Sequence, residues 1–289
     1  MNLRQLKKKI KSVQNVGQIT KAMQLVSAVK MKKAQAKALG GKPYRDALEE
    51  TIARIAHSSS LGEYSFVQKN TAATKELVIV LSSNKGLCGI FNFNLFRFFG
   101  RTMQVADANY EFVTVGTKAQ QFLIHAGASV IADFSNSYPT FEESATAIFR
   151  LAKDDFEKGK YKTVSILYNR FISSLVYRPV REILLPFSEI AIAQKTEQDV
   201  QKELEYAIEP TPHEVLKGLL DFYLESKIRG AVQESEASEH SARMIAMKNA
   251  TDNAKDMVYS MTLLRNGLRQ ERITNELLDM NTARLTVSN

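Results

Sequence analysis

From Glu214 to Asn289 the chain contains no proline, and glycine occurs there only at Gly218, Gly230 and Gly267. Proline breaks a helix by removing a hydrogen bond and crowding the preceding turn. Its absence leaves room for one helix of about 70 residues, roughly 105 Å long at 1.5 Å per residue. All six prolines stand earlier, at 43, 139, 179, 186, 210 and 212. A second long helix is expected at the opposite end, from Leu3 to His57 and about 80 Å long, kinked or interrupted by Pro43. Such lengths exceed ordinary globular helices and point to a coiled coil.

The apolar spacing agrees. Leu3, Leu6, Ile10, Val13, Val16, Ile19, Met23 and Val26 recur at helical steps, with one four-step replaced by a three. That irregularity predicts a local overwinding of the supercoil. Towards the C-terminus Met244, Met247, Thr251, Ala254, Val258, Met261 and Leu268 keep a heptad-like seam, whose small members let two helices approach closely. The two ends of the chain are therefore expected to pair, leaving the middle as a separate unit.

Charge is concentrated in the same N-terminal segment. The first 45 residues carry twelve Lys or Arg and no acid, while the remaining 244 net −4, so the formal +8 belongs to one helix. Ten of the twelve are Lys, unlike an Arg- and Ser-rich transit peptide, and Met1 is expected to begin the working protein. A basic helix with an apolar stripe requires a partner helix and an acidic or anionic neighbour. No run approaches the ~18–20 apolar residues of a membrane span. Cys88, the sole cysteine, excludes an intrachain disulfide and fits a reducing compartment.

The middle alternates. Short apolar runs at Glu76–Leu81, Phe112–Val115, Ser129–Ala132 and Val164–Tyr168, with Arg181–Phe187 a further candidate, are separated by helical patterns at about 93–105, 117–125 and 141–158. Alternation of this kind predicts a mostly parallel sheet covered by helices on both faces. The expected fold is thus α/β plus a long coiled coil. Residues 1–58 and 212–289 form an antiparallel helical pair beside a Rossmann-like domain at 70–210, with connections at 58–72 and 188–212.

Such a domain raises the question of a bound nucleotide, but GxGxxG and GxxxxGK[ST] are both absent. Gly86-Leu-Cys-Gly89 lacks the Lys-Ser/Thr of a phosphate loop and reads as a tight strand-to-helix turn. His57, His125, His213 and His240 are scattered, with no ligand pair, and His240 beside Glu236 and Glu239 reads as a solvated side chain. Nothing nominates a base for Cys88, which reads as a small packed filler. No catalytic, cofactor or metal site is expected.

Four segments together resemble one known family. Gln18-Ile-Thr-Lys-Ala-Met-Gln-Leu-Val-Ser-Ala-Val-Lys-Met31 is similar to the N-terminal signature of the ATP synthase gamma subunit, the central rotor shaft of F-type ATPases. Ser83-Asn-Lys-Gly-Leu-Cys-Gly89 with Phe91-Asn92, Ser241-Ala-Arg-Met-Ile-Ala-Met-Lys-Asn-Ala-Thr-Asp-Asn253, and Arg269-Gln270 with Ile273-Thr274 and Glu276-Leu277 resemble its later motifs, in order. The resemblance implies the same architecture and a job: a non-catalytic shaft inside a ring of three alpha and three beta subunits. Its lower part binds epsilon and the membrane c ring. The expected setting is peripheral, at the cytoplasmic face of a bacterial inner membrane, with no nucleic acid and no cofactor.

The resemblance also nominates contact residues. Lys7, Lys8, Lys9, Lys11, Lys30, Lys32 and Lys33 are candidates to face acidic loops of the beta subunits, where charge attraction tolerates a changing partner. Arg269, Gln270, Thr274 and Glu276 match polar positions that meet the surrounding ring, and Met23 lies in the first signature. Asn84, Lys85 and Cys88 match a segment near the lower ring, and Glu209-Pro210 one near the c ring. Asn84-Lys85 replaces the family's usual Asp-Arg, and Ile90 a usual glycine. The tail from Asn281 to Asn289, with Arg284, is more polar than the family's apolar tip. Two other classes compete: a nucleic-acid binder using the basic helix, opposed by the mixed-sign C-terminal helix, and a nucleotide-dependent enzyme, opposed by the missing phosphate motifs.

Overall fold

A computed structural model describes residues 3–58, 70, 73–103, 109–135, 141–187, 209 and 211–287. Six helices are described: α1 (Leu3–Gly40), α2 (Lys42–Ser58), α3 (Phe91–Thr102), α4 (Thr117–His125), α5 (Phe141–Glu157) and α6 (Pro212–Val287). The strands are β1 (Glu76–Leu81), β2 (Tyr110–Val115), β3 (Ser129–Asp133), β4 (Thr163–Phe171) and β5 (Tyr177–Leu185). The chain divides into two compact units, Met1–Ala28 with Arg243–Asn289, and Val29–Ala242. Most of the expected connections at 58–72 and 188–212 lie outside the described residues.

In the first unit α1 and α6 run antiparallel. Thr20 Oγ1 lies 2.8 Å from Thr251 Oγ1. A Cβ on Gly17 would stand 3.3 Å from the Ala254 Cβ. Each threonine has a single hydroxyl proton: one donates across the seam, and the other serves its own helix, at Gly17 O (3.1 Å) or Met247 O (2.8 Å). Continuing this register sets Ile10 beside Met261 and Leu3 beside Leu268, so α1 is exhausted there. From Arg269 to Ala283 every residue of α6 is exposed.

The seam of α1 differs from the expected stripe. Leu6, Ile10, Thr20 and Ser27 are buried, and Leu3, Val13, Gly17 and Gln24 are partly so. The steps alternate three and four without a break, so the predicted overwinding site is absent. Val16, Ile19 and Val26 are instead 51%, 60% and 57% exposed. The physical reason is size: Gly17, Thr20 and Ala254 allow a close approach that branched side chains would block. We predict that Gly17→Leu costs about 1–3 kcal/mol by overpacking. By contrast Ile19→Gln changes urea-unfolding stability by less than about 0.5 kcal/mol, as an exposed site should.

The second unit is built on a five-stranded sheet of order β3-β2-β1-β4-β5, parallel except for β4–β5. β1 is apolar on both faces because both are covered. Val78 and Val80 pack with Phe112 beneath Leu95, Phe99 and Leu123 of α3 and α4. Leu77, Ile79 and Leu81 face Ile148 and Ala152 of α5 and Leu216, Leu220, Leu224 and Ile228 of α6. The first turns of α6 are thus part of this core. Between α1 and α2 the chain bends at Gly41, and Pro43 falls in the first turn of α2, where a missing N–H is tolerated. Gly41 N–H still donates to Lys37 O (3.1 Å) and Arg45 N–H to Gly41 O (3.2 Å).

At the amino end of the interior strand β2, Glu111 is buried among Lys75 Nζ (2.6 Å), the Tyr161 hydroxyl (2.5 Å) and Lys160 Nζ (3.1 Å). Burial pushes its carboxyl pKa up, but these donors outweigh burial and hold it at about 2, against an ordinary 4.5. A carboxylate depressed in the folded state stabilises above its unfolded pKa, and that stability is lost as pH falls from 4.5 towards 2. Glu111→Gln should flatten the loss of stability over this window, read as the urea midpoint against pH.

Candidate partner-binding site

The residues nominated from sequence fall into both units. In the first, Lys7, Lys8, Lys9 and Lys11 are exposed on α1, around the inward Leu6 and Ile10, and Met23 is half-buried beside the seam. Arg269, Gln270, Thr274 and Glu276 lie on the fully exposed length of α6. There the Thr274 hydroxyl donates to Gln270 O (3.0 Å), and Glu276 accepts from Arg272 Nε (2.7 Å). In the second unit Lys30, Lys32 and Lys33 are exposed around the buried Met31 and Ala34. Glu209 is exposed, whereas Pro210 and the side chain of Arg284 lie outside the described residues.

The loop after β1 is held mostly by its own polar groups. Asn84 Oδ1 accepts from Thr117 N–H (3.0 Å) at the start of α4, and its Nδ2 donates to Ser135 O (3.0 Å). Asn84 therefore ties three loops together and caps a helix. Cys88 is buried against Phe91 and Ala242, its Sγ within 3.4 Å of Asn92 Nδ2. Neither side chain faces outward; Lys85 does. Gly116, at φ +107°, completes the knot: a Cβ there would lie 2.2 Å from Ser82 O.

Apolar exposure is what the sequence reading missed. Leu87, Ile90 and Phe93 are each more than 60% exposed, and Leu87 sits in the left-handed region at φ 62°. Ile172, Leu175 and Val176 are exposed in the β4–β5 hairpin at the same, carboxyl, end of the sheet. In the first unit Val16, Ile19, Leu25 and Val26 of α1 and Tyr259, Leu263, Leu264, Ile273, Leu277, Leu278 and Met280 of α6 are exposed as well. So much uncovered apolar surface marks binding faces. The available signal was an excess of apolar residues over what one seam can bury.

The place where a doubly wound sheet usually receives a ligand is the gap between the carboxyl ends of β1 and β4. Here the chain fills it: Phe91, Cys88 and Ala242 pack together with Tyr177, Asn169 Nδ2 donates to Phe91 O (3.3 Å), and the Ser238 hydroxyl donates to Asn169 O (3.0 Å). Among the described residues no cluster of His, Cys, Asp or Glu could hold a metal ion, and no helix is long and apolar enough to cross a membrane. His240, expected to be solvated, is buried, with Nε2 3.6 Å from Glu236 Oε1.

A pair of long terminal helices with a Rossmann-like sheet between them in sequence defines a helical-stalk protein with an α/β domain. A family model described as ATP synthase matches residues 2–283. The ATP synthase gamma chain of Dehalococcoides mccartyi is 38% identical over 282 residues, 96% of each chain. That of Chloroflexus aurantiacus is 36% identical over 286 residues, again 96% of each. Among solved structures, the central stalk and c ring of the Tetrahymena thermophila mitochondrial ATP synthase matches at TM-score 0.57 and 25% identity, over 80% of this chain and 99% of that one. A Euglena gracilis mitochondrial ATP synthase chain shares the fold at TM-score 0.65 and 18% identity, over 99% and 94%. The chain belongs to the ATP synthase gamma-chain family.

The loop geometry yields a test that separates scaffold from contact. Asn84→Ala removes the acceptor of Thr117 N–H and the donor to Ser135 O and should cost about 1–3 kcal/mol of stability. Lys85→Ala, on the surface beside it, should cost less than about 0.5 kcal/mol in the same denaturation experiment.

Proposed function

We propose that this chain is the central-stalk rotor of an F-type ATP synthase, itself without an active site. The observation that carries the reading is the exposed length of α6. From Arg269 to Ala283 it has no α1 partner in the register, yet it presents Ile273, Leu277, Leu278 and Met280 to solvent. An apolar helix of this kind needs surrounding walls, and three alpha and three beta subunits would supply them. The Lys7, Lys8, Lys9 and Lys11 group, with Lys30, Lys32 and Lys33, would face acidic loops of the beta subunits.

Arg269, Gln270, Thr274 and Glu276 would engage the ring by polar contacts that break and re-form as the shaft turns, with Met23 at the helix pair. The carboxyl end of the sheet, with Leu87, Ile90, Phe93 and the β4–β5 hairpin, is the face offered to epsilon and the c ring. Lys85 lies on that face, and the exposed Glu209 would be a further contact with the c ring. Asn84 and Cys88 act by shaping the loop. Residues 1–58 and 212–289 would then work as the shaft and 70–210 as the foot, peripheral to the membrane at the cytoplasmic face of a bacterial cell. The filled gap between β1 and β4 supports a role without nucleotide chemistry of its own.

Reconstitution with cognate alpha and beta subunits tests this. One copy should enter each alpha-three beta-three assembly and confer cooperative ATP hydrolysis that the chain lacks alone. A chain that stays free, with hydrolysis unchanged, rejects the rotor reading.

A further inference from the structure

In the second unit a groove of about 250 Å³ runs between the α1–α2 bend and one face of α6. The Arg45 guanidinium lies along its floor between two glycines. A Cβ on Gly230 would come within 2.7 Å of Nη1 and 2.9 Å of Cζ, and one on Gly41 within 3.1 Å of Nη1. A side chain at position 230 would displace the planar group, and one at 41 would crowd it. Among the described residues no hydrogen bond and no ion pair within 4 Å engages this guanidinium. Its charge reaches Glu234, Tyr168 and Tyr223 only through space. Beside it Arg229 is held by Glu225 (2.8 Å), which also accepts from the Thr146 hydroxyl (2.8 Å). Two aromatic rings, Tyr44 and Phe222, flank the groove and are 54% and 59% exposed.

We propose that this groove docks a partner-protein segment that presents an Asp or Glu carboxylate to Arg45, with an aliphatic or aromatic neighbour between Tyr44 and Phe222. The fixed fork of guanidinium donors matches a carboxylate in two parallel hydrogen bonds. With Lys37, Arg45 and Arg229 against the single Glu225, the lining is net positive. The volume is below the ~300–1,000 Å³ of small-molecule pockets and suits two side chains better than a free ligand. Arginine and aromatic residues are also the types that dominate binding energy at protein interfaces. The inference rests on the rotor reading, because the complex supplies the partner.

The test uses the intact complex, purified through another subunit, with a benzophenone amino acid at Tyr44. Photolysis and peptide mapping should link this position to one partner peptide containing Asp or Glu. Arg45→Gln should lower the cross-link yield about tenfold or more, as loss of a charge-assisted hydrogen bond does. Phe222→Ser, at an exposed position, should lower it with thermal stability unchanged. A cross-link only to lipid or to a peptide without a carboxylate, or a yield that neither variant changes, overturns the docking site while leaving the rotor reading intact. Absence of the chain from the purified complex removes both.

Discussion

The close approach of α1 and α6 at Gly17, Thr20, Thr251 and Ala254 governs how the first unit meets its surroundings. Small and hydroxyl-bearing residues occupy the seam, so the aliphatic side chains nearby have nowhere to go but outward. The 2.8 Å contact between the two threonines satisfies their polar groups at the point where the helices press together. A seam of leucines would bury more area but hold the helices further apart. Here the outer face carries Val16, Ile19, Val26, Leu263 and Leu277 among its charged residues, a poor arrangement for an isolated helix pair and one that enclosure by other subunits would use.

α6 does two different physical jobs along its 76 residues. Leu216, Leu220, Leu224 and Ile228 are core residues of the sheet-containing unit. Its final turns are exposed on every side. Under the proposed reading, the basic charge of α1 would add an attraction that is weakly directional and so suited to a partner that changes as the shaft turns.

Much of this architecture was legible in the sequence. Proline spacing gave both long helices, and β1 and β2 were visible as apolar runs because the sheet is covered on both faces. The α6 seam was legible too, since Met247, Thr251, Ala254 and Val258 keep heptad spacing. The α1 seam was not, because an apolar stripe signals itself by hydrophobicity and Gly17, Thr20 and Ser27 carry none. Close packing selects for size, and size was outvoted by the exposed Val16, Ile19 and Val26. The sites divide similarly. Exposed lysines were readable from charge, but the inward turn of Asn84 depends on Thr117 and Ser135, distant in sequence. The bare Arg45 depends on Gly230, and no local pattern reveals it.

The central claim is that the outer apolar face of the helix pair, not its seam, meets the partner subunits. Single-cysteine variants at Ile19, Leu263 and Leu277 can be labelled with a thiol reagent in a Cys88→Ser background, free and then assembled with alpha and beta subunits, with Thr20 as the seam control. The account predicts fast labelling of the three outer positions in the free chain, strong protection on assembly, and slow labelling at Thr20 in both states. Outer positions that stay equally reactive after assembly, or a seam position that labels as fast as they do in the free chain, would contradict it.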